Sequence, residues 1–431
     1  MGLVSQHIVG SESFFSKAPG ISGKLRKFAD DFEVDEIVSI PGRSHWIWMQ
    51  ENAGGRHSII KIRAKNWDTH VLVKELSRQL GISQKSIGFA GTKDKRAITT
   101  QHFSVRSPSE KVSSITLDNT EINFLHNSIK PIRLGNLVGN HFRIKVSKPK
   151  GGKDAIDKIF SELGGFFPNY FGVQRFGSIR PITHIVGEKI VRGDIEGAVF
   201  DYLTLESSGQ SELEGRKYIS ETKNFKEALD KFPLHMLFER QLVGHLSRNP
   251  GDFAGAILQL PESLSKMLVH GYQSLIFNKV LDMRIKEGFD ASLPQVGDNV
   301  MPADGYGGPD QRIIIEVTER NQKKLSKRCM EGKAWIAGLL PGIQSNFSKG
   351  IQGEFEKEVM NEIGVKFEDF SIPDIPELSS NGMYRPLFQK YNDIKVNFDS
   401  EEPVFDFWLH KGTYATSFLR EIMKSLDVRV Y

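Results

Sequence analysis

The densest chemistry in the chain lies in Gly88-Phe-Ala-Gly-Thr-Lys-Asp94-Lys-Arg-Ala-Ile-Thr-Thr-Gln-His-Phe-Ser-Val105. Two glycines allow a tight backbone. One carboxylate, Asp94, then sits among Lys93, Lys95 and Arg96, just before a strand-like run. Neighbouring cations favour the ionised form of a carboxylate, and an ionised aspartate held at a strand edge can serve as a nucleophile. Composition alone favours a plainer reading, a surface turn in which Asp94 pairs with a neighbouring base.

Three more segments carry usable groups. In Leu134-Gly-Asn-Leu-Val-Gly-Asn140-His-Phe142-Arg-Ile, Asn140 has both a donor and an acceptor, as reading a base edge requires. Phe142, two residues on, shares its strand face and could stack on that base. In isolation, a Gly-Asn turn leading into a core strand explains the segment better. Pro168-Asn-Tyr-Phe-Gly-Val-Gln-Arg175-Phe-Gly177 reads either as a buried aromatic loop or as a stacking and phosphate-binding one. In Gly412-Thr-Tyr414-Ala-Thr-Ser-Phe-Leu-Arg420-Glu, Tyr414 precedes a helix that Thr413 or Thr416 could cap, or it simply packs on a sheet. Arg56, Lys61, Arg63 and Lys65 cluster as well, more as a solvated face than as an RNA track.

Several common sites are missing. The chain has no GxxxxGK[ST] loop, strand-anchored GxGxxG, HExxH or GxSxG. Its 12 histidines show no metal-ligand spacing. An enzyme built from this sequence is expected to use ordinary side chains, with no metal and no nucleotide cofactor.

The elements that must position these groups can be read from periodicity. Phe32 and Val34 alternate with Glu33 and Asp35 as in a half-buried strand, and His45-Trp46-Ile47-Trp48 looks like its partner. Asp68 can cap a helix whose Leu72, Leu76 and Leu80 share one face and which Gly81 can end. Ala97 to Arg106 reads as a strand. Asn140 to Val146 gives one buried face and one basic face of His141, Arg143 and Lys145. A helix carrying Ile156, Ile159, Phe160 and Leu163 follows the loop ending at Lys153. Helical patterns dominate from Thr183 to Glu287, including one from Leu264 to Glu287. A short strand, Ile313 to Val317, comes next. Strands return at Ile394 to Phe398 and Pro403 to His410, before a helix from Thr416 to Leu426. This order predicts an α+β body with a more helical insertion.

Composition bounds the rest. A length of 431 residues suggests two or three domains, and 39% apolar with 26% charged residues excludes a disordered or a membrane chain. The net charge of +4 permits a nucleic-acid partner without requiring one. The single cysteine, Cys329, excludes an internal disulfide and points to a reducing compartment. Ala334 to Ile343, the longest mostly apolar stretch, is about half of what a spanning helix needs, and Pro341 interrupts it. No signal peptide, myristoylation or prenylation pattern is present. The expectation is a cytoplasmic protein without membrane association. With no heptad or apolar seam, it is expected to be a monomer.

Five segments in order resemble the TruD family of pseudouridine synthases: Asp31-Phe32-Glu-Val-Asp-Glu36, Gly91-Thr-Lys-Asp94-Lys-Arg-Ala, Gly135-Asn-Leu-Val-Gly-Asn140-His-Phe142-Arg-Ile, Asn169-Tyr-Phe-Gly-Val-Gln-Arg-Phe-Gly177 and Tyr414-Ala-Thr-Ser-Phe-Leu-Arg420-Glu. The resemblance implies a pseudouridine-synthase catalytic domain, a central antiparallel sheet flanked by helices, formed by residues 1–168 and 391–431. Residues 169–390 would be a largely helical inserted domain whose length is closer to the archaeal and eukaryotic branches. It implies cofactor-free conversion of uridine to pseudouridine in tRNA, usually at position 13. Asp94 matches the catalytic aspartate. Phe32, Asn140 and Tyr414 match positions lining the uridine pocket, with Phe142 nearby. Tyr414 stands where some relatives have Phe, and its added hydroxyl needs a partner. Arg26 falls near a family position that is often Lys and would steady Asp94 or a phosphate. Lys93, Lys95, Arg96, Arg175 and Arg420 would meet phosphates or carboxylates. The same chemistry on another RNA or tRNA position, a non-catalytic RNA-binding protein and a cofactor-free hydrolase using Asp94 are the competing readings.

Overall fold

Alternating side chains lay down the first strand. In Phe32–Val38, Phe32, Val34, Glu36 and Val38 are buried and the residues between them are half-exposed, the period of a strand with one face against a core. The computed structural model describes residues 6–38, 55–93, 95–177, 180–205 and 214–431. His45 to Trp48, expected as a strand, lies outside the described residues. In chain order the described strands are β1 (Phe32–Val38), β2 (His57–Lys65), β3 (Ile87–Phe89), β4 (Ile98–Val105), β5 (Thr120–Ser128), β6 (Leu137–Lys145) and β7 (Phe166–Pro168). They continue with β8 (Asn299–Pro302), β9 (Ile315–Glu316), β10 (Ala334–Leu340), β11 (Met383–Pro386), β12 (Phe388–Lys390), β13 (Asn392–Asn397) and β14 (Val404–His410).

Both ends of the described chain contribute to the larger sheet. Its order is β13-β14-β6-β1-β4-β2-β5, with β3 added on β4. Every pairing is antiparallel except β1 with β4, which run parallel. The sheet is therefore mixed, because β4 inserts between β1 and its sequence neighbour β2. Register places Ala64, Thr99, Val34, Phe142 and Phe407 in one row across five strands, so these side chains share a face.

Helices cover that face in two patches. The helix Thr69–Leu80 sets Leu72, Val73 and Leu76 over Ile60, Ile62 and Phe103. Asp68 caps it, accepting from the amides of His70 and Val71 at 2.8 and 3.2 Å, and Gly81 ends it at φ 63°. The helices Lys153–Leu163 and Ala415–Met423 pack Ile156, Ile159, Phe418 and Ile422 over Phe142, Ile144, Phe405 and Phe407. On the opposite face the expected basic row of β6 is present but matched by carboxylates. His141 meets Asp406 at 2.9 Å, Arg143 meets Glu33 at 3.8 Å and Lys145 meets Asp31 at 2.8 Å.

Between β7 and β12 the chain builds a second body. The helix Thr183–Val191 packs along the 25-residue helix Glu262–Lys286, and Ile195–Thr204, Glu214–Thr222 and Leu237–Arg248 extend the same apolar core. The body is not helical throughout: it also holds a sheet of order β11-β10-β8-β9. Its central strand β10 is buried along its whole length, which accounts for the apolar run at Ala334. A buried ion pair of Arg284 and Asp298 at 2.6 Å, joined by Gln352 at 2.8 Å, ties the long helix to this sheet and to the helix Gly350–Ile363. The small pair β7–β12 joins the points where the chain leaves and re-enters the larger sheet. Among the described residues no helix is long and apolar enough to cross a membrane.

Candidate active site

Between the two helical patches lies a cleft of about 200 Å³, lined by Arg26, Phe32, Val34, Thr92, Lys93, Asn140, Phe142, Gln174 and the segment Thr413, Tyr414, Ala415, Thr416. The structure thus brings together Arg26, Phe32, Asn140, Phe142 and Tyr414, residues far apart in sequence. Asp94 lies outside the described residues; Thr92 and Lys93, which precede it, line the cleft.

The aromatic wall follows from strand register. Val34 on β1 faces Phe142 on β6, two pairs along from Phe32 and Ile144 and so on the same face. The rings of Phe32 and Phe142 meet edge to face at 6.4 Å, and Phe142 stacks on Phe407 at 5.5 Å. Arg26 places its guanidinium carbon 4.1 Å from the centre of the Phe32 ring, a cation–π contact. It does so from φ 56°, a left-handed conformation that disfavours side chains by about 1–2 kcal/mol. Neighbouring bonds hold that turn in place: Lys24 and Ser147 exchange main-chain bonds at 2.9 and 3.0 Å, and the Leu25 amide reaches the Val430 carbonyl at 2.8 Å.

Asn140 follows Gly139, where a Cβ would lie 2.4 Å from the Leu409 carbonyl oxygen. Only glycine lets β14 approach so closely there. Asn140 Oδ1 is buried with no hydrogen-bond partner among the described residues, and so is Thr413 Oγ1. Leaving such a group unmet costs about 1–3 kcal/mol. Two of them in one cleft suit a ligand with its own polar edge.

Tyr414 stands at the N-cap of Ala415–Met423, and its side chain makes no capping bond. Neither expected threonine caps this helix. The Thr416 hydroxyl turns to Gln174 Oε1 at 3.2 Å, and Thr413 lies one residue too early. The Tyr414 ring meets the edge of Phe171 at 6.1 Å. Arg385 organises this wall. Its guanidinium lies 4.0 Å from the Phe171 ring centre and donates to the Gly412 carbonyl at 2.6 Å and to Asn169 Oδ1 at 2.7 Å. Burial pulls its pKa down to about 10.

The segment around Asn169 is the buried aromatic loop, not a stacking surface. Tyr170 and Phe171 are buried. Tyr170 donates to Asp282 at 2.9 Å, Phe171 donates its amide to Asn278 at 2.8 Å, and Arg175 donates to Ser274 at 3.2 Å. Only Gln174 of this segment reaches the cleft. Arg420 is buried too, pairing with the Glu421 carboxylate at 3.2 Å and with Gln6 at 3.1 Å, so it does not face a phosphate. Arg63 pairs with Glu33 at 3.1 Å and Lys65 with Asp30 at 2.6 Å, the solvated face read from sequence.

Glu36 went unassigned in the sequence reading. It occupies the buried phase of β1, next in step after Phe32 and Val34, and a carboxylate in an otherwise apolar phase is the signal that could have marked it. Its Oε2 lies 2.7 Å from Lys93 Nζ. Burial pushes its carboxyl up, but the bond from His102 and the charge of Lys93 outweigh this and hold it below the ordinary value. Thr69 and Gln101 were also missed. The Lys93 amide donates to Thr69 Oγ1 at 2.9 Å, that hydroxyl donates to Gln101 Oε1 at 3.1 Å, and Gln101 Nε2 donates to the Gly91 carbonyl at 2.9 Å.

The arrangement offers flat apolar walls for a ring, an amide and a hydroxyl for its polar edge, and a charged rim. Among the described residues no group of three or more His, Cys, Asp or Glu is set to hold a metal ion. A family model described as tRNA pseudouridine synthase D (TruD) matches residues 8–422. A probable tRNA pseudouridine synthase D of Methanococcoides burtonii is 39% identical over 432 residues, covering 96% of each chain. Another from Pyrococcus furiosus is 33% identical over 419 residues, covering 97% of this chain and 99% of its own. The crystal structure of the putative tRNA pseudouridine synthase D (TruD) from Methanosarcina mazei superposes with a TM-score of 0.81 at 35% identity, over all of both chains. With the family pattern running through both bodies and a relative matching end to end, the chain belongs to the TruD family of tRNA pseudouridine synthases.

Proposed function

We propose that this protein converts uridine to pseudouridine in tRNA, at position 13, with Asp94 as the catalytic aspartate and without a metal or nucleotide cofactor. The observation that carries this reading is the single cleft shared by Arg26, Phe32, Asn140, Phe142 and Tyr414. The reaction is an isomerisation. The N1–C1′ bond breaks, the base turns, C5 bonds to C1′, C5 gives up its proton and N1 takes one. Asp94 attacks the sugar or the base, or assists elimination. Taking the target base out of its stack costs a few kcal/mol. Stacking on aromatic walls, about 1–3 kcal/mol per base, offsets much of it. Phe32, Phe142 and Tyr414 supply those walls. The Asn140 amide meets the N3–H and carbonyl edge of uracil, and Arg26 steadies Asp94 or a phosphate.

Residues 1–168 and 391–431 would form the catalytic domain, and 169–390 the inserted one. The β7–β12 pair at the junction supports that division. The protein would act as a monomer in the cytoplasm. The test is carbodiimide mapping of pseudouridine in tRNA transcripts incubated with wild type or Asp94→Ala, without added cofactor. A new stop at position 13 with wild type, lost in the variant while tRNA binding persists, is the expected result. Full activity in Asp94→Ala removes that residue from the mechanism. Stops elsewhere redirect the target, release of free uracil points to a hydrolase, and binding without modification points to an RNA-binding protein.

A further inference from the structure

We infer that Glu36 is a positioning residue of the reaction and acts through Lys93; the inference rests on the role proposed for Asp94. Taking a carboxylate and an ammonium out of water is expensive, and an apolar pair of similar volume often stabilises a fold equally well or better. Glu36 and Lys93 are nonetheless sealed together, 2.7 Å apart, with side chains 0% and 7% exposed. Stability alone gives little reason for such a pair. Its location gives one: Lys93 lines the cleft, and Asp94 is the next residue in the chain.

Lys93 is gripped twice. Glu36 on β1 holds its ammonium, and Thr69, at the start of the helix Thr69–Leu80, holds its main-chain amide at 2.9 Å. Gln101 on β4 links that grip to Gly91, accepting from the Thr69 hydroxyl at 3.1 Å and donating to the Gly91 carbonyl at 2.9 Å. Three separate elements therefore fix the short segment that ends one residue before Asp94. Glu36 is itself located by its second oxygen, which faces the His102 amide at 3.4 Å and the His102 imidazole at 3.8 Å. Misplacing a reacting group by about 1 Å can lower a rate by roughly a hundredfold. A rigid approach to Asp94 is what this network supplies.

The experiment compares wild type, Glu36→Gln, Lys93→Met, the double variant and Glu36→Asp. Three quantities are read: single-turnover pseudouridine formation at saturating tRNA, the Kd for tRNA and the thermal midpoint. Glu36→Gln and Lys93→Met should each slow the chemical step by roughly a hundredfold while Kd stays within about twofold. The double variant leaves neither charge unpaired, so it should regain thermal midpoint but not rate. Glu36→Asp, which keeps the charge, should recover part of the rate. A wild-type rate in Glu36→Gln overturns the inference. So does a double variant that recovers rate together with thermal midpoint, because the pair then serves stability alone. If Glu36→Gln fails to fold, the double variant decides by the same criterion. Failure of the underlying reading is distinguishable, since wild type would then be inactive on every tRNA or Asp94→Ala would be active.

Discussion

Substitution at Asn140 separates recognition from folding. Its Oδ1 accepts no hydrogen bond among the described residues, so replacing it breaks none there. Asn140→Asp keeps the size but exchanges a donor for a second acceptor. We expect kcat/KM on tRNA to fall about a hundredfold, equivalent to about 2.7 kcal/mol, while the thermal midpoint falls modestly because a carboxylate without a partner replaces a neutral amide. Steady-state kinetics beside a melting curve check this, and undiminished kcat/KM would take Asn140 out of base recognition. At this scale the sequence was informative where a residue type itself carries the chemistry. The aromatics and the amide of the cleft could be picked from five short segments, and with Arg26 they converge on one cleft. Glu36 could not, because what it does is set by Lys93, 57 residues further on. A carboxylate in a strand shows that something must pair with it, not what. Arg175 shows the opposite case, since its guanidinium donates to Ser274 rather than to a phosphate or a carboxylate, whereas Arg420 does meet a carboxylate, one of the two partners expected of it.

Among the elements, β11 has influence beyond its four residues. It belongs to the second body, yet its Arg385 bonds Asn169 and Gly412, the segments that lead into the Tyr414 wall. Arg385→Met would leave the buried Asn169 acceptors unmet and release the Gly412 carbonyl. We expect a loss of about 3 kcal/mol in stability by urea unfolding and a several-fold higher KM for tRNA. Unchanged values in both would mean that the wall is held by packing alone. Element bounds were legible where end signals are chemical. Asp68 and Gly81 bracket Thr69–Leu80, as their types require. The alternation in Phe32–Val38 and Leu137–Lys145 declares two of the central strands. β10 was not legible as a strand, since an apolar run with no polar phase fits buried helix and strand alike. The parallel pairing of β1 with β4 was equally hidden, because no local pattern records which distant strand slips between two neighbours.

Across the whole molecule, burial creates an acid sensitivity. His184, His270 and His410 are each pushed down to about 4. Between that value and the unfolded value of about 6.5, unfolding takes up a proton at each. Their contribution to stability is whole above that window and is lost as pH falls through it, with a slope of up to about 1.4 kcal/mol per pH unit for each residue. Glu356 and Glu421, raised by burial, act in the opposite sense. Replacing one histidine isolates its share. Urea unfolding at about pH 7 and about pH 5 should give a difference smaller by about 1–2 kcal/mol in His184→Gln than in wild type. An identical difference would mean that His184 does not titrate with unfolding.

Both ends of the described chain meet in the larger sheet, where β14 lies directly against β6. On a ribosome this sets an order of events. Strand β6 is synthesised early and its partner late, with the whole second body made in between. Throughout that interval β6 offers an unpaired edge, and such edges invite pairing with other chains. A nascent chain stalled before Val404 should therefore bind chaperones that shield strand edges. The helix Ala415–Met423, with Tyr414 at its start, then completes the site: the cleft comes into being only once that helix has been made.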